Sequence, residues 1–146
     1  KMTVAEKSQR FADVRVGDSL PERDFDCDNV QLMLYNAVLW NGHRIHFDEP
    51  YTKEVEGYPG LVLAGPMLGD WLHQCVDEWL GDDGRILSVD YSNRQAAYVG
   101  DTLTSGGTIT AVRPSEQEID VDVFIKNKEG ALVAPGTMVV RFGESW

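Results

Sequence analysis

The segment Trp40-Asn41-Gly42-His43-Arg44-Ile45-His46-Phe47-Asp48 gathers most of the chain's proton-handling chemistry, including two of its three histidines. An imidazole exchanges protons near neutral pH, and a neighbouring carboxylate or amide can orient it. His46 is the candidate general acid/base, set against the plainer role of a histidine that only caps the preceding helix. Asn41 cannot take a proton, but it can position a water or the ring; otherwise it is simply a helix C-terminal asparagine. Asp48 either supplies an acid or orients His43 or His46. The spacing His43-x-x-His46 also admits a metal. A catalytic zinc, however, needs three protein ligands, and His73 falls on the polar face of a different helix, so no metal is expected.

The elements that must position this segment can be read from hydrophobic spacing. Phe11 to Asp18 is a lead-in, and residues 20–27 form a first edge strand. Val30, Met33, Leu34, Ala37 and Val38 recur at spacings of three and four, which predicts a short amphipathic helix capped by Asp28 or Asn29 and ending near Asn41-Gly42. Residues 51–60 are a loop broken by Gly57, Pro59 and Gly60. Gly65-Pro66 then opens a helix whose wide apolar stripe is Leu68, Trp71, Leu72, Cys75, Val76, Trp79 and Leu80, with Gly81 ending it. Strands are predicted over 86–91, 95–99, 101–113 (interrupted by Gly106-Gly107), 118–126 and 131–142, with a turn at Asn127-Lys128-Glu129-Gly130. In the fourth of these, Ile119, Val121, Val123 and Ile125 share one face. Early helices followed by consecutive antiparallel strands describe an α+β domain, most simply a curved sheet wrapped around the helix at 65–80.

The 146 residues are one domain's worth, and 42% hydrophobic content is enough to build a core. The net charge of −11 argues against nucleic acid as the main partner, because phosphate binding needs clustered Lys and Arg. No apolar stretch is long enough to span a membrane, and no charged-then-apolar leader is seen; the expectation of a cytoplasmic location rests on the cysteines, as packed thiols fit a reducing compartment. Cys27 and Cys75 are the only cysteines. Cys75 falls on the apolar face of the 65–80 helix, so a packed thiol is expected there rather than a disulfide.

Three features in order then resemble the MaoC-like (R)-specific enoyl hydratase/dehydratase family, which has the hot-dog fold. They are His46-x-Asp48, the run Gly57-Tyr58-Pro59-Gly60-Leu61-Val62-Leu63-Ala64-Gly65-Pro66, and Tyr98-Val99-Gly100-Asp101-Thr102-Leu103 with the later Gly136-Thr137. The wording of the first two is closer to the mesaconyl-CoA hydratase and 3-hydroxyacyl thioester dehydratase branch. Two departures stand out. The family's usual acid position falls on Asn41 and its asparagine on His43, and Ala64 stands where many members carry histidine.

The resemblance implies a hydro-lyase that reversibly hydrates a 2-enoyl thioester carried on CoA or on the phosphopantetheine of a carrier protein, with no other cofactor. His46 would transfer protons. The helix start at Ala64 and Gly65 would hold the thioester oxygen through free N–H groups and the positive helix end. Arg44, Lys53 and Arg94 are candidates for carrier phosphates, and Trp40, Tyr35 and Tyr58 for the acyl pocket; each could equally be surface charge or core. A homodimer is implied, with a heteromeric hot-dog partner as the variant. Two other functions compete: a hot-dog thioesterase using Asp70, and a non-catalytic subunit that completes a neighbour's site.

Overall fold

The computed structural model describes residues 10–143. Its elements are β1 (Arg23–Asp26), α1 (Asn29–Val38), a 3-10 turn (Arg44–His46), α2 (Glu49–Glu54), α3 (Gly65–Leu80), β2 (Gly84–Tyr91), β3 (Thr102–Arg113), β4 (Glu118–Asn127) and β5 (Leu132–Phe142). The strands form one antiparallel sheet in the order β1-β3-β4-β5-β2. Tight connections fix the β3-β4-β5 meander. In the second of them the Asn127 side chain accepts from the N–H groups of Glu129 and Ala131, and Gly130 takes the left-handed conformation that glycine allows.

The sheet packs against α3. Ile119, Val121, Val123 and Ile125 all point inward, as their alternation requires, and meet the Leu68, Leu72, Val76 and Leu80 stripe of the helix. Phe25 on β1 stacks on Trp71 at 4.6 Å, and Trp79 meets Phe142 edge-on at 6.0 Å, so aromatic pairs close both ends of the helix–sheet interface. Arg10 satisfies the last turn of α3 by donating to the Leu80 carbonyl at 3.0 Å and pairing with Asp83. Cys27 and Cys75 are buried free thiols. Burial pushes Cys27 up to about 11, with Asp28 adding to the effect, and burial also raises Cys75, so both remain protonated packing groups.

Several expectations are corrected. The predicted 51–60 loop is partly helical, because Asp48 caps α2 through the Tyr51 N–H at 3.1 Å and Pro50 suits the first turn. Residues 95–99 are not a strand; only an isolated bridge, Val62 to Tyr98, forms there, because the short 61–63 segment offers no longer partner. Gly106-Gly107 do not interrupt β3. They clear space for Phe124 and for the β4 backbone, and the irregularity lies between Ile109 and Ala111. The first edge strand is shorter than predicted but lies at the sheet edge as expected. Asp28 caps α1 through the Gln31 N–H at 2.7 Å, yet Val30, Met33, Leu34 and Val38 are exposed, while the buried residues are Leu32 and Asn36.

Tyr91, at the end of β2, lies across α3, where a Cβ on Gly69 would sit 2.4 Å from its hydroxyl. Glycine-to-alanine in a helix interior ordinarily gains about 1 kcal/mol. Here Gly69→Ala is expected to lose about 1–3 kcal/mol in urea unfolding, because the ring must be displaced. The same change in a Tyr91→Ala background is expected to be neutral or stabilising. Stabilisation in the presence of Tyr91 would contradict this packing.

Candidate active site

Helix α1 ends in a Schellman arrangement. The Asn41 N–H reaches the Asn36 carbonyl at 2.8 Å and the Trp40 N–H reaches Ala37 at 3.2 Å. The left-handed seat that glycine usually fills is held by Trp40, at φ 57°, with its side chain 94% exposed. That conformation costs about 1–2 kcal/mol for an L-residue, so neighbouring contacts must hold it. A chain of amides does so. Buried Asn36 donates to the Leu32 carbonyl at 2.9 Å and accepts from the Asn41 Nδ2 at 2.9 Å, while the Asn41 Oδ1 accepts from the His43 N–H at 3.2 Å. His43 then caps the 3-10 turn, its Nδ1 accepting from the Ile45 N–H at 3.4 Å.

His46 closes that turn and is 7% exposed. One peptide fixes it from both sides: the Val62 N–H donates to the Ile45 carbonyl at 3.0 Å, and the Val62 carbonyl lies 2.7 Å from the His46 Nδ1. A carbonyl can only accept, so Nδ1 carries the proton and Nε2 is left with the lone pair. Nε2 has no hydrogen-bond partner among the described residues. Burial pulls the ring's pKa below the usual histidine value; the Val62 bond partly opposes this, and nearby His43 adds to it. The resting ring at neutral pH is therefore neutral, with a proton acceptor on Nε2.

The same short segment leads into α3. Leu63 donates to Ala97 at 2.8 Å and Val99 to Leu61 at 3.0 Å, which clamps residues 61–63 between the histidine turn and residues 97–99. Ala64 is the N-cap of α3 and has no side-chain cap, Pro66 contributes no N–H, and the Met67 and Leu68 N–H groups bond the Ala64 carbonyl, so the helix start presents the Gly65 N–H and a positive end just beyond Val62. His46 and the helix start are thus joined by one tightly bonded stretch. Tyr58 stands beside it, half-buried, its ring 6.4 Å from that of Tyr98.

Other sequence candidates are engaged elsewhere. Asp48 caps α2, and Arg44 grips its carboxylate through two N–H groups at 3.0 and 2.7 Å, which holds its pKa below the usual range. Arg44 also lies over the Tyr51 ring. Lys53 pairs with Glu49 at 2.6 Å. The Arg94 side chain is exposed and, among the described residues, bonds only the Ser92 hydroxyl, on the rim of a hollow on the outer sheet surface. Trp40 and Asn41 border a small apolar hollow of about 370 Å³ with Asn36, Ala37 and Gly42. Tyr35 donates to Asp70 at 2.6 Å in a separate groove of about 540 Å³ between α1 and α3. Burial and the Asp70 bond raise the phenol's pKa. Among the described residues no three histidine, cysteine or acidic side chains come together as a metal site, and no helix is long and apolar enough to cross a membrane.

Two supporting groups were not anticipated from the sequence. Asn36 shows only as a polar residue in an amphipathic helix, five positions before Asn41. The Val62 carbonyl is a backbone atom and has no side-chain signature.

Solved structures share this architecture. The (R)-hydratase from A. caviae involved in PHA biosynthesis superposes with a TM-score of 0.82 at 19% identity, over 90% of this chain and 98% of that one. R-hydratase PhaJ1 from Pseudomonas aeruginosa gives 0.83 at 18%, over 92% and 86%. The hot-dog arrangement, a curled antiparallel sheet around a central helix, is therefore established. Among curated proteins, the mitochondrial hydroxyacyl-thioester dehydratase type 2 of Saccharomyces cerevisiae is 29% identical over 82 residues, covering 56% of this chain and 29% of that protein. Mesaconyl-C(4)-CoA hydratase of Chloroflexus aurantiacus is 51% identical over 37 residues, 25% of this chain and 13% of that protein. The chain thus spans less than a third of the length of these two relatives. The model of the family described as hydroxyacyl-thioester dehydratase type 2 matches residues 3–99, well over half of the sequence, and the chain belongs to that family.

Proposed function

We propose that this chain is a hydro-lyase that reversibly adds water to a 2-enoyl thioester, with His46 as the general acid/base. The observation that carries the reading is the 2.7 Å bond from the His46 Nδ1 to the Val62 carbonyl, which leaves Nε2 as a base on a turn tied to the segment that enters α3. In hydration, water attacks C3 while Nε2 takes its proton, and the thioester oxygen gains negative charge. The Gly65 N–H and the positive end of α3 stabilise that oxygen. Protonated His46 then returns its proton to C2, so one ring serves both halves of the reaction; dehydration is the reverse. Asn41 is a positioning residue in this scheme, because both ends of its amide hold the loop that carries His46. No separate cofactor takes part; CoA or a phosphopantetheine arm carries the acyl group.

The relatives' names point to acyl thioesters with either carrier, hydroxyacyl-thioester dehydratase on one side and mesaconyl-C(4)-CoA hydratase on the other. Of the three cations considered for carrier phosphates, Arg94 is the one with no ion pair among the described residues and is the candidate that remains. A second hot-dog subunit is proposed as the partner. The exposed Val30, Met33, Leu34, Val38 and Trp40, and the β2 edge with Leu87 and Val89, leave apolar surface that another copy would cover. One solved neighbour, the ChsH1-ChsH2 complex from Mycobacterium tuberculosis, is a two-chain assembly (TM-score 0.79, 22% identity, over 89% and 99% of the chains).

Purified protein mixed with crotonyl-CoA and mesaconyl-CoA is expected to remove the enoyl-thioester absorbance, and His46→Ala to lower kcat by roughly 10²–10⁴-fold. Release of free thiol without hydration would overturn the reading in favour of a thioesterase, with Asp70 as its carboxylate. Sedimentation equilibrium is expected to give twice the chain mass; a monomer at micromolar concentration would contradict the homodimer.

A further inference from the structure

Gly65 and Gly69 lie one turn apart on α3 and leave a shallow groove along its first half. The chain leaving β2 runs along that groove. Tyr91 fills the Gly69 end, and its hydroxyl lies 3.4 Å from the Gly65 carbonyl. Asn93 takes the other end, where a Cβ on Gly65 would meet its Nδ2 at 2.4 Å and its Oδ1 only at 3.9 Å. The backbone there is pinned to β5 on both sides of Asn93, by Ser92 N–H to Pro135 at 3.0 Å and Arg94 N–H to Val133 at 2.8 Å. The Asn93 side chain is exposed and makes no hydrogen bond to another side chain or backbone group among the described residues. A side-chain donor therefore stands over the residue whose own N–H lacks an acceptor within the helix. The Val62 carbonyl, two residues before the N-cap of α3, bonds His46, which is 7% exposed and whose Nε2 has no partner among the described residues.

We propose that Asn93 is a second donor to the thioester oxygen, acting with the Gly65 N–H. This rests on the hydratase reading of His46. As water adds at C3, the electron pair of the C2–C3 double bond moves toward the carbonyl, and the oxygen that gains charge accepts from both N–H groups. No proton leaves Asn93; the proton that returns to C2 comes from His46. Two converging donors hold an enolate-like oxygen better than one. The fixed glycine explains the close approach, because any side chain at 65 would displace the amide.

Two readouts test this, and one does not depend on turnover. With butyryl-CoA labelled with ¹³C at the carbonyl, a saturated thioester that cannot be hydrated, the infrared carbonyl band is expected to shift to lower frequency on binding. The shift is expected to shrink in Asn93→Ala and to persist in His46→Ala. With crotonyl-CoA or mesaconyl-CoA, Asn93→Ala is expected to lower kcat roughly 10²-fold with little change in KM. Asn93→Asp removes the donor but would still serve as a helix cap. It is expected to lose kcat as far as alanine does, whereas retained kcat with a raised Tm would mean the amide only caps α3 and would overturn the proposal. An unshifted wild-type band, or an equal shift in Asn93→Ala, would also overturn it. A shift that depends on Asn93 in a protein that hydrates neither substrate would sink the hydratase reading while leaving the donor assignment in place.

Discussion

The peptide of Val62 is the joint on which the site depends. Its N–H and carbonyl both bind the turn that carries His46, and it lies two residues before the N-cap of α3. One backbone group thereby sets the tautomer of the histidine, fixes the ring direction and ties the ring to the positive end of the longest helix. A side-chain partner would add a charge or a rotamer to control. A carbonyl inside a clamped segment does neither, and it leaves the ring neutral with Nε2 free.

The other end of the site is held at a cost. Trp40 occupies a left-handed position where glycine would be unstrained, while Gly42 arrives two residues later. The Leu32–Asn36–Asn41–His43 hydrogen-bond chain offsets that strain and fixes the loop. Strain of this kind persists where surrounding contacts over-determine the backbone, and here those contacts border the turn that carries His46. The amide at 41 thus has a structural task that a carboxylate could not perform in the same way, since it both donates to Asn36 and accepts from His43.

Much of this was legible in the sequence, for physical reasons that differ by element. The α3 helix and the β4 alternation could be read because their periods, 3.6 and 2, match buried faces. Asp28 could be read as a cap because capping is local chemistry. The apolar residues of α1 announced a helix, but their periodicity does not say which surface is covered, and most of them face outward in this chain. Asp48 illustrates the opposite limit. Next to two histidines it resembles a catalytic acid, yet its proximity to Tyr51 and Arg44 makes it a cap and an ion-pair partner. The bond that orients His46 has no signature at all, because it is made by a main-chain carbonyl sixteen residues away.

The most direct measurement is ¹⁵N NMR of the imidazole nitrogens across pH, simplified by the presence of only three histidines and assigned with His46→Gln. His46 should appear with Nδ1 protonated and Nε2 bare at neutral pH, and should gain its second proton only below the ordinary histidine value of about 6.5. An Nε2–H tautomer, or titration at or above that value, would contradict both the Val62 carbonyl as the group that sets the tautomer and His46 as a neutral base.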